Sequence, residues 1–292
     1  MPIVRVIGPG RAGSSLSAAL GRVGWTVLPP LGRGDDLADA GLGVDGLVVA
    51  TPDDSVAAVA AAVRPRAEVT VLHLSGSLGP DVLSPHPRRG ALHPLVPLPD
   101  AETGADRLLS GATFAVAGDP FATTVAAALG GRPIELPDDA RPAYHAAAAI
   151  AANHVVALLA QVERVAASVG LPLDAFLPLA RAAVEDVGRL GPRRALTGPA
   201  ARGDWRTLAR HLDALAPEER AGYRAGVGLA LAATVGPEVR GATGPAGDGA
   251  GARRPADAGA GAGARAGDGA GARRPADAGA GEPTVAVRSV VR

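Results

Sequence analysis

The chain has 292 residues, 29 basic and 29 acidic side chains, a formal net charge of zero and no cysteine. That length suits one or two domains. The charge balance gives no electrostatic footprint for nucleic acid or an anionic membrane surface, and the missing cysteine excludes disulfides, thiolate catalysis and cysteine-held metals.

The first element is an apolar strand, Pro2 to Ile7, which runs into Gly8-Pro9-Gly10-Arg11-Ala12-Gly13 and then a helical stretch from Ser14 to Val23. This is G-x-G-x-x-G between a strand and a helix, the turn that carries a dinucleotide pyrophosphate. The first glycine permits the bend, the second lets backbone approach the phosphates, and the third allows close helix–strand packing. The helix N-terminus offers free N–H groups and the positive end of its dipole. A second match, Gly41 to Gly46, precedes a strand instead of following one, so its context rejects it.

A short strand from Trp25 to Leu28 and an apolar run from Val44 to Ala50 follow. Thr51-Pro52-Asp53-Asp54 opens a helix through Val63, with acidic side chains in the first turn, where the dipole favours them. Val69 to His73 is the next strand and ends at Ser75-Gly76. Thr113 to Val116 and Pro133 to Leu136 complete the set. Apolar strands alternating with helices predict a parallel sheet covered on both faces, the doubly wound Rossmann type. This α/β domain is expected over 1–137.

From 138 to 236 the pattern is all-helical. Ala140 to Val169 reads as one long helix, apolar almost all round, which predicts burial or a subunit interface. Pro172 opens a helix to about Val187, Asp204 is the expected N-cap of Trp205 to Leu215, and Pro217 to Val235 is the last helix. Over 237–292 the chain is rich in Gly and Ala, and the 16-residue segment at 246–261 recurs identically at 266–281. With few apolar side chains beyond alanine, it is expected to be a disordered tail. Only Val285, Val287, Val290 and Val291 suggest a short terminal strand.

Several pieces in order over about residues 1–235 resemble the Rossmann-like DUF2520 family, relatives of the 6-phosphogluconate dehydrogenase, ketopantoate reductase and pyrroline-5-carboxylate reductase superfamily. They are the glycine turn, Thr51-Pro52-Asp53, His73-Leu74-Ser75-Gly76, Leu92-His93-Pro94-Leu95, Tyr144 to Ala148, Asn153-His154, and Ala195 to Asp204. The resemblance implies an NAD(P) cofactor, a reductase activity, and a homodimer formed through the helical domain. In the dimeric relatives a segment near Thr197 to Asp204 completes the partner's site.

The expected cofactor contacts are Gly8, Pro9, Gly10, Arg11, Ala12, Gly13, Arg33, Thr51, Pro52, Asp53 and Ser75. NAD enzymes place an acid at the end of the second strand for the ribose 2′-OH. Here Leu28-Pro29-Pro30-Leu31-Gly32-Arg33 occupies that place, which favours NADP over NAD, with Arg33 and Arg11 toward the 2′-phosphate. His145, Ala149 and Asn153 are spaced i, i+4, i+8 on the long helix and share a face. In ketopantoate reductases the equivalent positions carry Lys, Asn and Asn. The chain holds no lysine, since all its basic residues are arginine, so His145 is the candidate proton donor. Asn153 is a candidate for holding a carbonyl or carboxylate. His93, read as a loop residue, is a candidate at the nicotinamide or substrate. Thr197, Arg202 and Asp204 are the candidate substrate contacts, with Arg202 suited to a carboxylate. The six histidines show no metal spacing.

The expected activity is NADP-dependent reduction of a small keto acid, ketopantoate-like, or of an imine. The alternatives are a non-catalytic NAD(P)-binding or sensor protein and a pyrroline-carboxylate-like imine reductase. Met1 leads straight into the first strand with no signal peptide or spanning segment ahead of it, the pattern expected of a cytoplasmic protein without membrane partners.

Overall fold

The structure, a computed structural model, describes residues 1–235. The expectations for the duplicated segment and the terminal strand fall outside the described residues. The described residues fall into two compact units, Met1–Leu158 and a second that begins at Leu159.

The first unit is built on a seven-stranded sheet: β1 Ile3–Ile7, β2 Thr26–Val27, β3 Gly46–Val49, β4 Thr70–His73, β5 Arg88–Pro94, β6 Thr113–Gly118 and β7 Arg132–Glu135. The spatial order is β2-β1-β3-β4-β5-β6-β7. Strands β1, β3, β4 and β5 are parallel neighbours. All residues of β3 and β4 are buried, as central parallel strands covered on both faces require.

Two features differ from the sequence reading. His93 lies in a strand, not a loop, because Arg88-Arg89-Gly90 and Pro94 hide the apolar run Ala91-Leu92 between them. The sheet is also not wholly parallel: β5 and β6 pair antiparallel, with His93 opposite Ala115. The parallel order resumes between β6 and β7.

Helices α1 Arg11–Arg22, α2 Asp53–Ala62, α3 Ala101–Leu109 and α4 Phe121–Ala128 cover the sheet. On one face Leu16, Leu20, Leu108 and Val125 pack with Phe114 and Leu92. On the other, Val56, Ala60 and Val63 pack with Leu47, Val49 and Leu83. Helix α3 starts where Asp100 accepts a hydrogen bond of 2.8 Å from the Thr103 N–H.

The long helix is present but interrupted. Residues Arg141–Ala149 form α5, Ile150–His154 make a π-helical turn, and Val155–Ala167 form α6, which crosses the division between the units. The second unit continues with α7 Leu177–Leu190, α8 Pro192–Ala195, α9 Gly198–Arg202, α10 Trp205–Ala214 and α11 Pro217–Thr234. Leu208, Leu212 and Val227 form its small core. Glu219 is fixed by Arg164 and by Gln161, whose side-chain amide donates to the Glu219 carbonyl. The stretch Asp138–Ala167 is the one described helix long and apolar enough to cross a membrane by length and composition.

Candidate active site

The carboxyl ends of β1, β3, β4 and β5 lie along one edge of the sheet, where open α/β sheets bind ligands. At the end of β1 the glycine turn has the expected geometry. Gly8 has φ +100°, and a Cβ there would sit 2.6 Å from the Ala50 carbonyl oxygen. At Gly13 a Cβ would collide with the Gly8 carbonyl, so this glycine serves close packing. Gly10 has nothing within 4 Å of where a Cβ would stand. It caps α1 without a side-chain bond, so the first-turn N–H groups have no side-chain cap.

A cavity of about 420 Å³ opens over this turn. Of the expected cofactor contacts it is lined by Gly8, Pro9, Gly10, Arg33, Thr51 and Pro52. Thr51 lines the cavity, and its hydroxyl is buried with no hydrogen-bond partner among the described residues. Asp35, two residues past Arg33, lines the same cavity, but its carboxylate accepts from the Gly32 N–H at 2.7 Å. These features fit a dinucleotide whose phosphates meet the turn. Asp53 and Ser75 meet each other instead: the Ser75 and Ser77 hydroxyls donate to Asp53 Oδ2 at 2.8 and 2.6 Å. They fasten the loop that leaves β4. Arg11 and Ala12 begin α1 and do not line this cavity.

That loop is also held from below. Buried His73, the last residue of β4, accepts from the Ser75 N–H at Nδ1 and donates from Nε2 to the Gly79 carbonyl, both at 3.2 Å. Its pKa is lowered to about 4, chiefly by burial, so the ring is neutral, as this double role requires.

A second cavity, of about 520 Å³, lies beside the ends of β5 and α5. His93, Tyr144, His145 and Asn153 line it together with Leu95, Val96 and a run of alanines. The alanines leave room for a small ligand, and the volume is within the usual range for ligand pockets. Gly76 sits where the two histidines converge: a Cβ there would be 2.5 Å from His145 Nδ1 and 2.9 Å from the His93 ring. The His93 and His145 rings meet edge to face at 5.8 Å. His93 Nδ1 is hydrogen-bonded to the Tyr144 hydroxyl at 2.8 Å. Burial, then the charges of His145 and Arg141, lower the His93 pKa to about 4.

The π-turn explains how His145 and Asn153 share this cavity. Eight residues of regular α-helix rotate by about 800°, leaving Asn153 about 80° past His145. A π-turn winds less per residue and brings it back. The two residues that the spacing put on one face thus line one cavity, though the helix that joins them is not regular. Tyr144 stands in the sequence as the neighbour of His145. Its apolar ring among alanines gave no sign that its hydroxyl would meet His93, 51 residues away.

Thr197, Arg202 and Asp204 lie in the second unit. Thr197 precedes α9, and Arg202 ends it exposed. Asp204 caps α10 by accepting from the Thr207 N–H at 3.1 Å, which lowers its pKa. His211 Nδ1 and the Tyr223 hydroxyl are hydrogen-bonded at 2.6 Å. No cluster among the described residues has the makings of a metal site.

Residues 113–228, from β6 into α11, match the family described as "Domain of unknown function (DUF2520)". No curated protein sequence matches the chain. Among solved structures, a Bacteroides fragilis protein designated an NADP oxidoreductase matches with TM-score 0.67 and 22% identity, over 80% of this chain and 98% of that one. A Plasmodium falciparum pyrroline carboxylate reductase with NADP bound matches with TM-score 0.54 and 12% identity over the same shares. A Streptomyces aurantiacus imine reductase matches with TM-score 0.55 and 15% identity, again over 80% and 98%. At these identities the likeness establishes the fold: a Rossmann-type sheet followed by a helical region.

Proposed function

We propose that the chain is an NADP-dependent oxidoreductase that reduces a small carbonyl or imine compound. The observation that carries this reading is the placement, along one sheet edge, of a glycine-turn cavity and a small-ligand cavity with titratable walls. The three structural relatives named above, two of them described by NADP and two by imine or pyrroline-carboxylate reduction, support the same class.

In this reading the glycine turn and the start of α1 hold the pyrophosphate, and Thr51 contributes its unused hydroxyl. Arg33 meets the 2′-phosphate. Asp35, tied to Gly32, leaves the arginine as the distinguishing group for NADP over NAD. Asp53 and Ser75 shape the β4 loop beside the nicotinamide ribose. The bound cofactor supplies the hydride. Asn153 orients the carbonyl or imine group, and the proton comes from the wall formed by His93, Tyr144 and His145. Thr197 and Arg202 are the candidates for a substrate carboxylate. Homodimerisation rests on the apolar surface that α6 and α7 expose.

Keto acids of the ketopantoate type and cyclic imines are the two substrate classes to compare, and the relatives' descriptions favour the imines. The test is NADPH oxidation against a panel of both. Substrate-dependent oxidation, with kcat falling about 100-fold in Asn153→Ala or His145→Ala, is expected. NADPH binding with no oxidation by any member would replace the reductase by a nucleotide-binding protein. Arg33→Ala is expected to weaken NADPH far more than NADH; equal losses would remove the NADP preference.

A further inference from the structure

Arg141 begins α5, and Tyr144 and His145 follow it by one turn, so the three share a side of the helix. We propose that Tyr144 is the acid of this cavity, the group that gives its proton to the carbonyl oxygen or imine nitrogen, with His93 and the buried guanidinium of Arg141 steadying the phenolate left behind; this rests on the reductase reading.

Three observations converge on it. Tyr144 lines the cavity, and its hydroxyl is hydrogen-bonded to His93. When His93 carries its proton on Nδ1, it donates to the tyrosine oxygen and leaves the hydroxyl proton free to point at a ligand. His93 itself is neutral near pH 7 and is a poor acid there. Arg141 is only 1% exposed and has one partner among the described residues, Asp138, to which its Nε donates at 3.0 Å. Its Nη1 and Nη2 are buried with no partner among the described residues. Asp138 meets this cation through Nε alone, and a second anion on the Nη side would satisfy the buried groups left over. A tyrosinate formed during turnover is such an anion. Burial raises the Tyr144 pKa, and the Arg141 charge opposes that rise.

The charged and titratable groups around the pair are His93 on β5, His73 at the end of β4, Asp53 at the start of α2, and Asp138, Arg141 and His145 around α5. In the step, the Tyr144 O–H bond breaks and an O–H or N–H bond forms on the substrate. Hydride, with its electron pair, reaches the adjacent carbon from reduced nicotinamide, which is oxidised as the substrate is reduced. The tyrosinate then recovers its proton from solvent, which the exposed His145 adjoins.

The chain contains two tyrosines, so Tyr223→Phe leaves Tyr144 as the sole reporter. In this full-length background, tyrosinate absorbance is titrated with circular dichroism monitoring the fold. Adding Arg141→Gln should raise the Tyr144 midpoint by about one pH unit, and Arg141→Lys should restore it. Asp138→Asn, which removes an exposed carboxylate and leaves the guanidinium less neutralised, should lower it. This milder variant decides the matter if Arg141→Gln does not fold. A midpoint indifferent to these changes overturns the proposal. In NADPH oxidation, Tyr144→Phe should lower kcat about 100-fold or more with little change in KM, and an undiminished kcat overturns the assignment as donor. If no member of the panel makes the wild-type protein oxidise NADPH, the reductase reading falls, while the titration still decides whether Arg141 tunes Tyr144.

Discussion

At the scale of single residues, the site depends on two histidines kept neutral by burial. His73 and His93 have pKa values near 4 when folded, against 6.5 for an ordinary histidine. The unfolded chain therefore binds protons more readily, and the stability tied to these rings is whole above about pH 6.5 and drains as the pH falls toward 4. Each ring accounts for on the order of 2 kcal/mol over that window. Thermal melting should show a steep loss between pH 6.5 and 4.5, partly flattened in His73→Gln. A melting temperature constant over the window would mean that the rings charge without cost. The glycines make a second residue-scale contrast. Gly13→Ala forces a Cβ against the Gly8 carbonyl and should destabilise the protein by several kcal/mol. Gly10→Ala meets open space, so the fold should melt as before while NADPH affinity falls about tenfold or more. Calorimetry and a binding titration on both variants separate the packing glycine from the phosphate-facing one.

At the scale of elements, regular patterns were legible and their interruptions were not. The glycine turn, strands β1, β3 and β4 and the cap of α10 announce themselves by local chemistry, and the structure has each close to its expected bounds. Strand β5 was hidden because its pairing with β6 is a long-range choice that no period in Arg88-Arg89-Gly90-Ala91-Leu92-His93-Pro94 betrays. The hydrogen bond between His93 and Tyr144 was hidden for the same reason. The π-turn was invisible because an alanine-rich run fits an α- or a π-helix equally well in composition. It carries its own prediction. Deleting Ala151 so that the helix becomes regular puts Asn153 seven residues past His145, about 700° of rotation and only about 20° short of two full turns. The cavity face survives, so that deletion should leave kcat within about tenfold of wild type. Inserting an alanine after Ala151 carries Asn153 and all that follows about 100° further, and activity should be lost. Equal tolerance of both changes would show that the π-turn does not set the register of the site.

At the scale of the whole molecule, what stands out is how much apolar surface the long helix and its successor leave uncovered. Val156 is 68% exposed on α6 and Leu179 71% on α7, and Ile150, Leu158 and Val184 are at least half exposed as well. The sequence reading expected this helix to be buried or to lie in an interface. Among the described residues Ala166 of this helix is buried, but these five side chains are not, and the proposed dimer is the reading that would cover them. A run of this kind is more than a soluble monomer usually shows. Its composition also passes as a membrane span, but Arg141, His145, Asn153, Glu163 and Arg164 fall within the same stretch. Each of the ionisable groups would be expensive in hydrocarbon. The proposed dimer would fit both facts, since an isologous interface can bury the aliphatic side chains and leave the polar ones at cavities and rims. Light scattering should therefore give the mass of a dimer for the wild-type chain. Val156→Glu combined with Leu179→Glu should give a folded monomer of lower melting temperature, because each partner then exposes the surface that association had covered. A wild-type monomer that instead floats with lipid vesicles would assign the surface to a membrane and end the dimer reading.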